Sequence, residues 1–547
     1  MIEPLNAGQQ RWVDETFVAL RIEDKVAQLL IPTLGAYDYR REAVDAFLAN
    51  RALGGIFVGM ASCDQHRQEI AQLQARCTIP LVVASDLEAG AGHFVRGGVA
   101  FPEPLAVAAA NDTQLAYTLG TAAAREGRYA GIHWTFAPVV DVNVNADNPI
   151  ANTRSLGDEP QRVAHLASAI ARGMQAHGLA ACAKHFPGDG VDDLDQHTAT
   201  SVNTLSRQEW HRISGLPFRQ VIEAGVLSVM VGHIALPAWD DSQNACGVYR
   251  PASISHTLVT DLLRGELGFQ GLIVTDDMNM GGVAGYATRR ERTVACMTAG
   301  CDMLLFPKLP DDYAILLEAV RAGALPEARL DDAVRRILAF KARLNLHTGA
   351  LFGPAVVTSE QQAFAAASRQ IAASAIVKVR DLHGTLPIRH LRPGAKVLTI
   401  TLASASEDVP EVDRTLRARG YEVDHAYNPD DLRLSDQTFA YDAVFVNFVF
   451  KGIWGVQSVR SVGTHNRIFI GGFYTDHPCV VFTSFGSPYH LRMFSTLPNY
   501  LNVHSSSPES QGAAVRVWFG EAEAYGISPV GQLVRSYDLG TSATNPA

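Results

Sequence analysis

The sequence lacks the features of membrane, secreted and nucleic-acid-binding chains. No run of eighteen apolar residues is present, so a membrane-spanning helix is not expected. The start, MIEPLNAGQQRW, has neither the basic n-region nor the apolar h-region of a signal peptide. The seven cysteines are odd in number and form no CxxC pair, which argues against a disulfide framework and a zinc knuckle. Because the formal net charge is −10, a general nucleic-acid surface is not expected, and we predict a cytoplasmic protein with reduced thiols.

A repeated pattern of strands and helices fills residues 1–348. Short apolar runs alternate with longer stretches of helical periodicity, and the runs lack the strict alternation of a half-exposed strand. Such runs are typical of parallel strands buried on both faces. They are VAQLLIP (26–32), GGIFVG (54–59), PLVVASD (80–86), WTFAPVVDV (134–142), LAACAKHF (179–186), VLSVMVGH (226–233), GLIVTDDM (271–278) and CDMLLFP (301–307). The pattern predicts an α/β fold with a (β/α)₈ barrel as catalytic domain, and a doubly wound open sheet is the alternative because periodicity cannot show closure.

A second, smaller α/β domain is predicted over residues 349–547. It begins with HTGALFGPAVVTSE, which has the composition of a linker. Its apolar runs are AIVKVRD (375–381), KVLTITL (396–402), DAVFVNFVF (442–450), RIFIGGF (467–473) and CVVFTSFG (479–486). These runs predict a separate sheet, and FTSFGSPY places Ser487 and Tyr489 on a loop just past a strand, where they could reach outward.

Ionisable residues end many of the predicted barrel strands. They are Asp86, Asp141, Lys184, His185, His233, Asp276 and Asp277. One charged strand end is usually a helix cap or a loop contact, but so many are hard to explain as caps alone. Barrel enzymes assemble their sites at the C-terminal face from several strand ends, so we expect an active site there.

The segment AKHFPGDGVDDLDQH, residues 183–197, is the densest group of ionisable residues. A buried strand runs into Lys184 and His185 and continues as a polar loop that ends in DQH. An aspartate two residues before a histidine, here Asp195 and His197, suits a dyad that leaves one ring nitrogen free to transfer a proton. A solvated surface loop is the alternative interpretation.

The same loop carries closely spaced aspartates that raise the question of a metal. They are Asp189, Asp192, Asp193 and Asp195. A calcium loop needs alternating acids, a glycine at its sixth position and a glutamate at its twelfth, and this stretch lacks that register. The sequence therefore predicts neither a metal site nor a cofactor.

The segment FQGLIVTDDMNMGG places Asp276 directly after an apolar run, at the mouth of the predicted barrel. A carboxylate there can attack an anomeric carbon from the face opposite the departing group. The alternative is that Asp276 or Asp277 caps the following segment, and one residue can serve each role.

The segment PLVVASDLEAGAGHFVRGG has a GAG after a strand, which invites comparison with a dinucleotide site. That fingerprint needs a third glycine where this chain has Val95, and charged Asp86 and Glu88 precede the glycines, so we reject it. Asp86 could instead accept hydrogen bonds from sugar hydroxyls, and Arg96 could donate to them. Arg154, in NTRSLGDEP, is a further candidate donor.

Together these segments resemble glycoside hydrolase family 3, most closely its β-N-acetylglucosaminidase branch. KHFPGDG is similar to the branch's KHFPGHG, and the DQH of residues 195–197 is similar to its Asp-Ser-His. VTDDMNM resembles its nucleophile strand, NPIANTRSLGDEP its NPxxxxRSFGDDP, and PASISHTLVTDLLRGELGFQG the stretch before the nucleophile. The resemblance implies a retaining glycosidase that removes terminal β-linked N-acetylglucosamine, with glucose as the second candidate sugar.

The resemblance also implies roles for individual residues. Asp276 would be the nucleophile, His197 the acid/base and Asp195 its partner. The residues implied to hold the sugar are Asp86, Arg96, Arg154, Lys184 and His185. Expected substrates are N-acetylglucosaminides, with cell-wall muropeptide or chitin fragments as candidates.

The chain departs from the branch's pattern in several places. Asp189 replaces the usual histidine, and DLEAGAGHFVR stands where the branch reads DQEGGRVQR, so Arg96 aligns only if two extra residues are allowed. Many members lack a second domain, and the family's two-domain β-glucosidases take their acid/base glutamate from it. The Asp-Gln-His loop removes that need, so we expect the C-terminal domain to be structural or to border the substrate groove.

Other activities remain open from the sequence. A neutral imidazole does not repel an anionic acceptor, so inorganic phosphate could replace water, and a glycoside phosphorylase is the second candidate. Lys184 at a strand end could form a Schiff base, as in an aldolase-type lyase. A non-catalytic sugar-binding protein is a further alternative, which predicts tight binding without turnover.

Overall fold

Eight parallel strands form a closed barrel in the computed structural model, which describes residues 2–34, 41–404, 407–430, 434–452, 455 and 457–531. The strands are β1 (Leu30–Ile31, extended by Thr33–Leu34), β2 (Gly55–Val58), β3 (Val82–Ser85), β4 (Trp134–Thr135), β5 (Cys182–Phe186), β6 (Ser228–Val231), β7 (Leu272–Asp277) and β8 (Met303–Leu305). Neighbours pair in chain order, and β8 returns to β1 with Leu304 opposite Leu30. Parallel bridges from Trp134 to Ala180 and from Val139 to Lys184 join β4 to β5. The sheet is therefore a closed (β/α)₈ barrel, and the open doubly wound alternative is wrong.

Helices precede, separate and follow these strands along the chain. Their bounds are Ala7–Ala19, Ile22–Gln28, Arg41–Leu48, Cys63–Gln74, Thr113–Ala130, Pro160–Ala176, Arg207–Arg212, Gly215–Glu223, the π-helical Thr257–Glu266, Gly281–Ala284, Arg289–Ala299, Asp311–Arg321, Glu327–Arg343 and Thr358–Ser374. Several begin with a capping box, in which a short polar side chain accepts the N–H three residues on and that residue's Gln or Glu side chain bonds back. Ser62 with Gln65, and Thr288 with Glu291, are two such pairs. Local sequence thus sets where these helices start.

Large side chains from separate strands fill the barrel. The Phe57 ring stacks on Phe136 with centroids 5.9 Å apart and meets Phe306 edge-on at 5.1 Å. The indole N–H of Trp134 donates to the Ser228 hydroxyl at 2.7 Å. These contacts make the interior a packed core, which holds the strand ends in fixed positions.

A second sheet follows in the C-terminal part of the chain. Its strands are β9 (Val377–Asp381), β10 (Lys396–Ala403), β11 (Glu422–Tyr427), β12 (Ala443–Val449), β13 (Val480–Ser484) and β14 (Asn499–Asn502). Their order is β9-β14-β13-β12-β10-β11, and only the β9–β14 pair among them is antiparallel. The accompanying helices are Pro104–Ala110, Pro410–Ala418, Leu434–Gln437, Phe473–Asp476 and Pro508–Trp518. Buried apolar clusters that contain Trp518 and Tyr500 cover opposite faces of the sheet, which gives an α/β sandwich.

Two predictions for this sheet are wrong. The run RIFIGGF forms part of a 3₁₀ helix, Thr464–Phe469, and the start of Phe473–Asp476 instead of a strand. Its apolar side chains Ile468 and Phe473 are buried in a cluster beside the sheet, so the hydrophobic pattern reflects packing and not pairing. Ser487 and Tyr489 are buried and do not reach outward.

Contacts divide the chain into two compact units. The first contains Met1–Phe101, Thr113–Val142 and Pro160–Ala367, and the second contains Pro102–Asp112, Asn143–Glu159 and Ser368–Ala547. Arg125 holds the segment after residue 348 in the first unit by a two-bond pairing with Glu360, 3.0 Å for each bond. The second unit thus includes two segments from within the predicted barrel domain. The domain boundary between 348 and 349 stays a prediction, and residues 532–547 of the predicted second domain lie outside the described residues.

Candidate active site

Most of the predicted site residues lie at the carboxyl-terminal ends of the barrel strands. Lys184 and His185 belong to β5, Asp276 and Asp277 end β7, and Asp86 directly follows β3. Parallel strands present their carboxyl ends at one edge of a barrel. These side chains therefore share the C-terminal face.

Lys184 is buried between two carboxylates. Its Nζ lies 2.9 Å from Asp86 Oδ1 and 2.7 Å from Glu88 Oε1, and only 4% of its side chain is exposed. Two close carboxylates stabilise the ammonium form of a lysine. One third of the Asp86 side chain stays exposed, so this carboxylate is accessible to a ligand while Lys184 holds it in place.

The His185 imidazole is held by Asp141. Asp141 Oδ2 lies 2.7 Å from His185 Nδ1, and the same carboxylate accepts the main-chain N–H of His185 and of Asp189. Asp141 is fully buried, so these donors satisfy a carboxylate that water does not reach. The arrangement fixes the ring orientation and places the His185 proton on Nδ1.

Asp195 and His197 form the predicted dyad. Asp195 Oδ1 lies 2.6 Å from His197 Nδ1 and also accepts the His197 main-chain N–H at 2.8 Å. The Asp195 side chain is fully buried, whereas 30% of the His197 side chain is exposed. A ring held through Nδ1 leaves Nε2 for proton transfer, which is the arrangement of a general acid/base.

Asp276 is ionised by its surroundings. Burial acts to raise the pKa of its carboxyl, but the electrostatic effects of His185, His233 and His197 and the Asp277 N–H bond outweigh burial and lower that pKa. Burial also lowers the pKa of the neighbouring His233. A half-buried carboxylate held in its charged form is suited to nucleophilic attack.

The pKa of Asp277, the next residue, is shifted in the opposite direction. Burial raises the pKa of its carboxyl to about 6, and the neighbouring Asp276 charge adds to this, against the hydrogen bonds from Asn279. Oδ1 of Asp277 accepts from both the main chain and the side chain of Asn279. Asp277 thus holds the turn after β7, whereas the helix Gly281–Ala284 that follows has Met280 as its N-cap and no side-chain cap hydrogen bond.

The two predicted arginines lie on other elements of the chain. Arg96 is exposed on a two-residue strand, Val95–Arg96, that pairs with Ala61–Ser62. Arg154 ends the 3₁₀ helix Asn152–Arg154, within a segment that belongs to the second unit. Their contact with a substrate stays a prediction.

Sequence reasoning assigned no role to several residues of the site. They are Glu88, Asp141, Gln196 and His233. Asp141 and His233 are recognisable as polar strand ends, but nothing in the sequence indicates which side chain each one holds. Glu88 stands beyond its strand, and only the folded chain brings it to Lys184.

Among the residues that the structure describes, no group of three or more His, Cys, Asp and Glu side chains could hold a metal ion. Within the same residues, no helix has both the length and the hydropathy needed to cross a membrane.

Comparison with known proteins gives a consistent result. Residues 21–340 match the model of the glycosyl hydrolase family 3 N terminal domain. A beta-N-acetylglucosaminidase/beta-glucosidase of Cellulomonas fimi is 33% identical, over 96% of both chains. A solved beta-glucoside phosphorylase bound to 2FGlc is 28% identical, with a TM-score of 0.87 over 97% of this chain and 98% of that one. A family 3 beta-N-acetylglucosaminidase from Paenibacillus sp. is 26% identical, with a TM-score of 0.81 over 94% of this chain and all of that one.

Proposed function

Because the chain belongs to glycosyl hydrolase family 3, we propose that it removes terminal β-linked N-acetylglucosamine by double displacement with retention. Asp276 is the nucleophile, His197 the acid/base and Asp195 its partner. The observation that carries the proposal is the placement of His197: the buried Asp195 carboxylate holds its Nδ1 at 2.6 Å, and its carbonyl accepts the N–H of Gly281 in the turn that follows Asp276. The Cellulomonas fimi relative supports N-acetylglucosamine as the first sugar and glucose as the second.

In the first step the Asp276 carboxylate bonds to the anomeric carbon while the bond from that carbon to the glycosidic oxygen breaks. The departing oxygen keeps the electron pair and takes a proton from Nε2 of His197. Asp195 accepts at Nδ1 and stabilises the imidazolium before this transfer. The step leaves a glycosyl ester on Asp276 and a neutral imidazole.

In the second step an acceptor attacks the anomeric carbon and the ester bond to Asp276 breaks. When the acceptor is water, His197 takes its proton, and free sugar leaves with the original stereochemistry. An imidazole can serve as the acid in the first step and as the base in the second.

Lys184, its two carboxylate neighbours and His185 bind the sugar. Asp86 accepts hydrogen bonds from sugar hydroxyls because its carboxylate is partly exposed, while Lys184 fixes its position. Arg96 and Arg154 are also proposed to bind the sugar, and their assignment rests on the family resemblance alone.

Phosphorolysis is the second candidate, since a solved structure with a TM-score of 0.87 to this chain is named a beta-glucoside phosphorylase. The first step is unchanged. In the second, a phosphate oxygen bonds to the anomeric carbon and releases Asp276, giving a sugar 1-phosphate. The neutral His197 does not repel the phosphate, whereas a carboxylate in its place would.

The alternatives of another class find less support. A Schiff-base lyase needs a neutral lysine amine, and Lys184 is paired with both Asp86 and Glu88. A non-catalytic binding protein needs neither an ionised Asp276 nor an imidazole oriented for proton transfer.

The proposal is tested by p-nitrophenol release from the β-N-acetylglucosaminide, with and without phosphate, followed by identification of the sugar product. Asp276→Ala should abolish release, while the matched control Asp277→Asn should keep most of it. Phosphate-independent release of free sugar supports the hydrolase, and phosphate-accelerated formation of sugar 1-phosphate supports the phosphorylase. Release that survives Asp276→Ala, or no release from either the N-acetylglucosaminide or the glucoside, would overturn the proposal.

A further inference from the structure

The loop that carries His197 is bonded through its main chain to the turn after β7. The Gly281 N–H donates to the His197 carbonyl at 2.7 Å, and the Gly282 N–H donates to the Gln196 carbonyl at 3.0 Å. A Cβ on Gly282 would lie 2.6 Å from that Gln196 oxygen, so this close approach requires glycine. The loop is thus docked just beyond Asp276.

The Gln196 side chain extends this attachment to a neighbouring strand. It is fully buried, its Oε1 accepts the His233 N–H at 2.8 Å, and its Nε2 donates to Asp189 Oδ2 at 3.1 Å. His233 Nε2 in turn lies 2.9 Å from the Asp277 carbonyl, next to the nucleophile. One partner of the amide is an N–H donor and the other a carboxylate, so the amide has only one favourable orientation.

Asp189 is equally well held. It is buried, its Oδ1 accepts the Gly190 N–H at 2.8 Å, and its own N–H donates to Asp141 Oδ1 at 2.7 Å. Asp189 and Gln196 stand where the family pattern has histidine and serine, so two departures from that pattern meet at one hydrogen bond. A serine hydroxyl at position 196 would be too short to reach these partners.

We infer that Gln196, with Asp189 as its partner, is a positioning residue that fixes the acid/base His197 relative to the nucleophile Asp276. The inference rests on the proposed function, which assigns those two roles. His197 gives up a proton and takes it back within one cycle, so a loop held in place keeps its Nε2 near the same oxygen position in both steps. Gln196 and Asp189 act through His197 and not by contact with the substrate.

A double-mutant cycle can isolate this hydrogen bond because its donor and acceptor can be exchanged. Gln196→Glu places a carboxylate against the Asp189 carboxylate, and Asp189→Asn places an amide N–H against the Gln196 amide. Each single variant therefore loses the bond, whereas the double variant regains it with the donor on position 189. All the substitutions preserve side-chain shape.

The readout compares two N-acetylglucosaminides with different leaving groups. A 2,4-dinitrophenyl group departs without protonation, whereas a phenyl group needs the proton from His197. We expect each single variant to lose about tenfold or more in kcat/KM on the phenyl glycoside and much less on the dinitrophenyl glycoside, in line with the loss of a hydrogen bond to a charged group. The double variant should recover most of the loss. Thermal melting of all four proteins checks that they are folded.

The outcomes separate this inference from the function it rests on. Wild-type protein that cleaves neither glycoside overturns both. When the wild type is active and Asp276→Ala is inactive, equal losses on the two glycosides, no loss, or no recovery in the double variant would overturn the positioning role alone.

Discussion

Lys341 provides a test of how burial controls charge in the barrel. It lies on the helix Glu327–Arg343, is fully buried, and donates through Nζ to Gln28 Oε1 at 2.6 Å. No carboxylate pairs with it among the described residues, and burial lowers the pKa of its ammonium from 10.5 to about 7. Lys341→Met removes the charge and keeps an unbranched apolar side chain of similar length. We expect this variant to be more stable than the wild type at pH 6.

The magnitude follows from the pKa difference. Each unit corresponds to about 1.4 kcal/mol, so charging Lys341 in the folded state costs roughly 5 kcal/mol relative to the unfolded chain. Between pH 7 and pH 10.5 the unfolded chain binds more protons, so the free energy of unfolding of the wild type rises with pH through this window. The variant leaves Gln28 Oε1 without its donor, which costs about 1–3 kcal/mol. The net gain is about 2 kcal/mol or more at pH 6, and it reverses toward pH 10.5, where the lysine is neutral in the folded state and the variant still lacks the donor to Gln28.

The assay is thermal melting of both proteins across this pH range. Lys25→Met is the matched control. Lys25 is paired with Asp331 at 2.6 Å, so its replacement should make the protein less stable. A destabilised Lys341→Met at pH 6, or a difference between variant and wild type that does not change with pH, would refute the reasoning.

Three further predictions concern the site and the second unit. Gly282→Ala should lower kcat/KM on the phenyl glycoside without preventing folding, because its Cβ would lie 2.6 Å from the Gln196 carbonyl oxygen. Asp277→Asn should raise the melting temperature at pH 8 but not at pH 4, because the folded state binds its proton more tightly and loses stability as pH rises through about 6. Tyr489→Phe should cost about 1–2 kcal/mol in denaturant unfolding, because the buried Asn143 amide loses its acceptor.

The barrel strands are predictable because burial on both faces gives short, unbroken apolar runs such as GGIFVG around β2. The closure of the barrel is not predictable in this way. It depends on the pairing of β8 with β1, and these two strands lie almost at opposite ends of the barrel segment. The edge strand β11 was missed for the opposite reason, since most of EVDHAY is exposed and carries little apolar pattern.

In the site, contacts between residues close in sequence are predictable, and contacts between residues from distant segments are not. The Asp195–His197 dyad is local, so its spacing alone suggests the hydrogen bond that the structure contains. The pairing of Lys184 with Glu88, and of Gln196 with His233, joins residues from different strand ends. No spacing rule indicates such pairs, because the fold decides which loops meet.

The composition of the second unit has a consequence for synthesis of the chain. Leu105 and Ala146 belong to a buried apolar cluster that is completed by Tyr489 and Val530. A ribosome adds about 5–20 residues per second, so these two early side chains wait roughly 20–80 s until both partners are made. During that interval the nascent chain carries unpaired apolar segments, which chaperones recognise. A truncated protein that ends at residue 348 would never acquire Tyr489 and Val530, so Leu105 and Ala146 would remain without these partners.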